Sequence, residues 1–464
     1  MKSKDATHET LDEIQQNLTI AGEVRGNVSQ IGKIFVNQLI DQRALQQLGI
    51  GQRWIVVVLG LIVVVVVVGT AWALYLGLHP TQPERMVGNL RIAVATFAEA
   101  EQPRKSKLGE QFAQEIYLRL QQTFAELKPD FTVTVWGPSQ VGLVKGATAE
   151  QRASMAAQTA ERIGANIIVY GSIEALDTSW QLIPEFYVTA ENFYQAEEVT
   201  GQYQLGTPFE VSDLENPADR IEFSGELTAR TQALSYITIG LGYYARRDFE
   251  KALANFQTAE AIAEWEDEEG REVLHILNGN ASIKLDQLDE AQEYYQQAID
   301  LDPEYGRGYI GLANVYYQFA LQPFEKTKNP DDTDVGLLDL AVVTYQKALQ
   351  AENQPPLSDI ISKAHFGLGQ VYFMYVYVGQ DEAFNLAINE FQAVIENYAD
   401  GANPRIHEIA AESHARLALI YELSGYTQLA IDEYNLAVSL MNDNPTRRAQ
   451  YEQRILALEA EIGK

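Results

Sequence analysis

Gly240-Leu241-Gly242-Tyr243, followed after a short break by Ala252-Leu253-Ala254-Asn255-Phe256-Gln257-Thr258-Ala259, decides how this chain folds. A small residue is followed three positions on by an aromatic, nine further by Ala, four further by an aromatic and three further by Ala. The spacing fits two antiparallel helices. Small residues let them approach closely, and the aromatics fill the space between one hairpin and the next. Such a unit cannot bury its own apolar face, so it must stack on copies of itself.

The copies are present. Gly279, Ser282, Ala291, Tyr295 and Ala298 form the second, with Ser282 in place of the first aromatic. Ala313 and Tyr316, then Ala341, Tyr345 and Ala348 form the third, with 16 extra residues between its helices. Gly369, Tyr372, Ala387, Phe391 and Val394 form the fourth, with six extra residues. Ala418, Tyr421, Ala430, Tyr434 and Ala437 form the fifth. Residues 446–464 read as a helix that caps the last apolar surface, with Ile455, Leu458 and Ile462 on one face. This signature resembles the tetratricopeptide repeat family over about half the chain, with five repeats across residues 233–445. The resemblance implies a concave surface that binds protein partners and no catalytic chemistry.

Before the repeats the pattern alternates between strands and helices. Strand-like runs at Arg91–Phe97, Phe131–Trp136, Ile167–Ile173 and Leu182–Thr189 are separated by helical stretches Leu108–Leu127 and Thr148–Ile163. Residues 88–210 therefore read as an α/β sandwich whose sheet is at least partly parallel, and 211–232 as a linker. The stretch Ile163-Gly164-Ala165-Asn166, an apolar strand and Gly171-Ser172, with Ile92–Phe97 and Leu108-Gly109-Glu110 before it, resembles bacterial cell-envelope modules of the curli-secretion, flagellar-outer-membrane and Tol-associated type. That resemblance implies an assembly or binding domain. Ala95 and Thr96 replace the acidic or proline residue usual there.

Trp54 to Leu78 holds no charge and includes the unbroken run Val63–Val68, long enough to cross a bilayer. The expected fold class is thus a multidomain membrane protein: one transmembrane helix, an α/β sandwich and an all-α solenoid. Gly69, Ala73 and Gly77 form a small-residue face suited to pairing two such helices, hence a homo-oligomer. Arg53 abuts the span, which places the N-terminus in the cytoplasm and the larger part outside. Residues 1–53 form an arm that reads either as short β rungs or as a disordered tail.

Net charge is −30, which disfavours nucleic acid and favours basic protein partners. No cysteine is present, so disulfides and thiolate chemistry are excluded. No phosphate loop, dinucleotide loop or His pair at helical spacing occurs, and no catalytic residue, metal or cofactor is implied. Asp332, Asp334 and Gly336 follow the order of a calcium loop but lack its downstream Glu, so these acids, like Glu264–Glu269, read as solvated. His275, His365 and His414 fall at equivalent places in three repeats and read as packing residues.

Tyrosine is abundant, 24 in all, and often paired. One member of each pair belongs to the packing signature. The other points to the groove, which makes Tyr244, Tyr317 and Tyr375 the expected partner-binding anchors. The expected function is a membrane-anchored scaffold that holds a protein partner in its repeats. The alternative is a transmembrane receptor whose α/β domain senses a small ligand at the carboxyl ends of its parallel strands.

Overall fold

The computed structural model describes residues 85–99, 107–176, 179–189, 197–211, 217–262, 271–401, 406–441 and 445–462. All lie in the compact unit that begins at Pro83. The N-terminal arm and the Trp54–Leu78 span, with Gly69, Ala73 and Gly77, lie outside the described residues. The single-pass membrane placement is corrected: among the described residues no helix is long and apolar enough to cross a membrane. The longest of them carries Asp219, Arg220, Glu222, Glu226 and Arg230 in its first half.

Seven strands form one mixed sheet: β1 (Leu90–Val94), β2 (Ala98–Glu99), β3 (Val133–Trp136), β4 (Ile167–Ala175), β5 (Trp180–Val188), β6 (Gly201–Gln204) and β7 (Phe209–Val211). Their order is β3-β1-β4-β5-β6, with β2 on β4 and β7 on β5. β1 runs parallel to β3 and β4, because helices α1 (Lys107–Leu127), α2 (Pro138–Val141) and α3 (Ala149–Ile163) supply the crossovers. From β4 onward the pairing is antiparallel. Thr148 caps α3 by accepting the Gln151 N–H, and Gly164 ends it at φ 71°, a left-handed turn that suits glycine.

Period-two alternation gives the sheet two apolar faces. Ile92, Val94, Ile167, Val169 and Phe186 face α1, whereas Ala93, Ala95, Ile168 and Tyr170 face the alanine-rich side of α3. On that second face, Arg152 of α3 meets Glu185 of β5 at 2.6 Å, with both side chains almost wholly buried. Gln202 of β6 donates to the same carboxylate at 3.2 Å. Burial pushes the Glu185 carboxyl up, and the Arg152 guanidinium pulls it back down.

Among the described residues the helical part comprises five hairpins and a last helix. These are α4 (Pro217–Ala245) with α5 (Phe249–Glu260), α6 (Glu272–Lys284) with α7 (Leu288–Leu301), α8 (Gly306–Thr327) with α9 (Val335–Gln350), α10 (Ile360–Tyr377) with α11 (Phe384–Gly401), α12 (His407–Leu423) with α13 (Thr427–Leu440), and α14 (Pro445–Ile462). Each helix packs on the one before and the one after it. The 16 extra residues of the third hairpin are absorbed by prolonging α8 and by a 3₁₀ turn at Pro330–Asp332. Asp334 accepts the Leu337 N–H at 3.1 Å as the N-cap of α9, so an acid that followed the order of a calcium loop starts a helix instead.

The small residues work as their spacing implies. A Cβ on Gly279 would lie 2.8 Å from the Tyr295 ring, and one on Gly311, in the next hairpin, 2.1 Å from the same ring. Tyr295 is therefore clasped between two hairpins. Gly311→Val is expected to cost about 1–3 kcal/mol through overpacking, read as a lower urea midpoint; an unchanged midpoint would mean that Tyr295 can move aside.

Residues 211–232, expected as a linker, carry helix from Pro217 onward. Leu227, Ala229 and Ala233 of α4 share one core with the first face of the sheet. Arg230 donates to the Leu205 carbonyl at 3.1 Å and to that of Thr207. Lower down, Phe131 meets Tyr243 edge-on at 5.0 Å, and Lys251 pairs with Asp130 at 2.8 Å. The apolar face of α4 needs a cover, and the sheet provides it.

Candidate functional site

The first helix of each hairpin presents a stripe at helical spacing. Counting from the small residue of the signature, positions −3 and +1 are Ile276 and Asn280 on α6, Ile310 and Asn314 on α8, and Phe366 and Gln370 on α10. Position −6 adds Arg307 on α8 and Lys363 on α10. These residues line a groove of about 240 Å³, closed at one end by Glu198 and reaching Ile409 on α12 at the other.

The amides in this groove are oriented from below. Tyr295 donates its hydroxyl to Asn280 Oδ1 at 2.6 Å, and Tyr345 donates to Asn314 Oδ1 at 2.5 Å. Each tyrosine is the aromatic of the repeat signature on the second helix of the same hairpin. With its oxygen taken, the amide has only its Nδ2 donors left to give. Asn280 is 7% exposed and its Nδ2 has no partner. A buried unsatisfied donor costs about 1–3 kcal/mol, which an acceptor arriving in the groove would relieve. In the first and fourth hairpins the equivalent aromatic is Phe256 or Phe391, which has no hydroxyl to give, and the groove position holds Leu241 or Gln370.

The closed end is built by the sheet domain. Arg307 leaves the stripe and donates to the carbonyls of Glu198 at 3.3 Å, Thr200 at 2.8 Å and Gln202 at 3.3 Å. It also donates to the Tyr203 hydroxyl at 2.7 Å and stacks on that ring, 4.1 Å from its centroid. The loop before α10 touches the same segment, with the Gln202 N–H donating to the Pro356 carbonyl at 3.2 Å. Glu198, in the 3₁₀ turn Glu197–Val199, accepts from the Tyr244 hydroxyl at 2.5 Å and pairs with Lys284 at 2.9 Å.

This arrangement removes two of the expected anchors. Tyr244 is 1% exposed, and burial, with the neighbouring Glu198 charge, pushes its hydroxyl well up. Tyr375 is buried, and its hydroxyl donates to Asp339. Neither offers a ring face to a partner, because the sheet domain fills the closed end and α9 covers Tyr375. Tyr317 stays half-buried against the third-hairpin core, its hydroxyl pushed up to about 12 by burial. The amide positions were not expected from the sequence, although in the second, third and fourth copies an amide follows the small residue.

The histidines lie between helices. His365 Nδ1 is 2.6 Å from Glu390 and His414 Nδ1 2.6 Å from Glu433, each tying the two helices of one hairpin. His275 lies 3.3 Å from Glu260, and burial pushes its imidazole down to about 4, so it is uncharged at neutral pH. At the carboxyl end of β1, Phe97 is fully buried and Thr96 bridges to Leu143.

Two family models of the tetratricopeptide repeat match residues 273–305 and 411–444, the α6–α7 and α12–α13 hairpins. No curated protein matches. Among solved structures, a thermophilic tetratricopeptide protein of Thermus thermophilus is 20% identical over 48% of this chain and 99% of its own, with a TM-score of 0.36. The pilF protein of Pseudomonas aeruginosa is 16% identical over 50% of this chain and 86% of its own, TM-score 0.34. YrrB, described as having an unusual peptide-binding site, is 17% identical over 48% and 92%, TM-score 0.28. At such scores these likenesses are carried no further.

Proposed function

We propose that this chain, which carries tetratricopeptide repeats, is a scaffold holding an extended segment of a protein partner in the groove along α6, α8 and α10. The observation that carries this reading is the unpartnered Nδ2 of Asn280, oriented by Tyr295 and followed by Asn314 and Gln370 at equivalent places. An extended peptide presents a carbonyl to the same side every second residue, so a row of amide donors suits a main chain whatever its sequence. Ile276, Ile310 and Phe366 supply apolar ground beside the donors. Tyr317, on the same helix as Asn314, is the remaining expected anchor.

The test uses a phage-displayed library of linear dodecapeptides panned on the full chain. Selected peptides are expected to lose at least tenfold in affinity with Asn280→Leu or Asn314→Leu, while the helical melting curve keeps its cooperativity. Tyr317→Ala is expected to weaken the same peptides. A library that yields no peptide, or peptides indifferent to both asparagines, would sink the groove reading.

A further inference from the structure

The groove is not empty at its closed end. Glu198 comes from the sheet domain, yet its carboxylate is held by residues of the first two hairpins: the Tyr244 hydroxyl of α4 at 2.5 Å and the Lys284 ammonium of α6 at 2.9 Å. Asn280, whose buried Nδ2 has no partner, is among the residues lining the same pocket. The Glu198 main chain is held as well, through the carbonyls of Glu198, Thr200 and Gln202 on Arg307. This is how a repeat groove would grip a foreign strand, with one acidic side chain recognised and alternate carbonyls taken by a single guanidinium.

The charge balance points the same way. Apart from Glu198, every charged residue lining the groove pocket is basic, namely Arg307 and Lys363. The surface of a chain of net charge −30 favours basic partners, but the groove interior has the opposite sign. We propose that Glu198 and the strand after it occupy the closed end in cis, standing in for an acidic segment of the partner that competes for the same place. This rests on the groove reading above and adds the chemistry of the occupant and a built-in competitor. Lys284 and Tyr244 become residues that select an acidic side chain, and the 197–204 segment sets the threshold the partner must exceed. The apparent affinity of an outside ligand is lowered by the fraction of time the cis carboxylate is in place.

The experiment uses the full chain and a fluorescein-labelled, C-amidated nonapeptide copying residues 197–205, whose side-chain carboxylates are those of Glu197 and Glu198. Fluorescence anisotropy is expected to show Glu198→Ala binding this peptide at least tenfold more tightly than the unmodified chain. Adding Lys284→Ala to Glu198→Ala should abolish the gain. Glu198→Gln, which keeps the shape and loses the charge, should fall between the two. Equal binding by the unmodified chain and Glu198→Ala would overturn the proposal. So would a gain that survives Lys284→Ala, or no binding by any variant. If display still selects peptides that depend on Asn280, the groove reading stands while the cis occupant falls, so the two failures are told apart.

Discussion

Replacing Arg307 with alanine is expected to cost on the order of 3 kcal/mol or more and to loosen the sheet from the repeats. The side chain is 5% exposed, and its removal takes a donor from three carbonyls and from the Tyr203 hydroxyl, which still donates to Val199, at a joint that water reaches poorly. Each buried group left without a partner costs about 1–3 kcal/mol, although small shifts will recover part of the sum. Arg307→Lys should rescue little, since a single ammonium cannot span acceptors distributed from Glu198 to Tyr203. Urea unfolding followed by far-ultraviolet circular dichroism and by tyrosine fluorescence reads both effects. The expected result is a lower midpoint and two curves that no longer coincide. A midpoint equal to that of the unmodified chain would show that apolar contacts alone hold the joint.

Arg152→Leu is expected to cost about 3–5 kcal/mol, because it leaves the Glu185 carboxylate buried without its cation. The two side chains are 5% and 1% exposed, so neither partner can turn to water. Arg152→Leu combined with Glu185→Met should regain most of the loss, since apolar groups of similar volume need no counter-charge. The single variant carries a pH signature. Burial already raises the native Glu185 carboxyl above the ordinary glutamate value, and without Arg152 that rise has less to oppose it. Above the unfolded pKa the native state then holds a proton that the unfolded state has released, so stability falls as pH rises through that window. Measured by thermal melting, Arg152→Leu should lose least at acidic pH and most at neutral pH. A deficit that does not change with pH would mean that Glu185 reaches water in the variant.

The hairpins and most strands were legible because their signals are local. Thr148 and Gly164 bracket α3 in the sequence as they do in space, and the Gly279-to-Tyr295 spacing encodes a contact that the structure realises directly. The joint was not legible. Arg307 finds its acceptors more than 100 residues earlier, and a lone arginine on a helix reads as solvated until the covering strand is known. The same applies to Tyr244 and Tyr375, whose exposure depends on which side of each helix another element covers. Residues 211–232 looked like a linker because Gly and acidic residues are mixed there, yet Leu227 and Ala229 find a sheet to pack on. Asn280 and Asn314 could have been found, since they follow the small residue of the second and third copies, but tyrosine abundance drew attention one turn further along the helix.

Helix α4 belongs to both parts of the molecule at once. Its N-terminal half closes the sheet's core, and its C-terminal half is the first helix of the first hairpin. A fragment trimmed at the repeat boundary near residue 233 would therefore cut through a rigid rod and bare Leu227 and Ala229 on the sheet side, while Phe131 would lose the ring of Tyr243. The smallest piece worth expressing, crystallising or grafting onto another protein begins before β1 and keeps the sheet. Any swap of repeats between proteins of this build has to leave the first hairpin with its own sheet and exchange only the later hairpins.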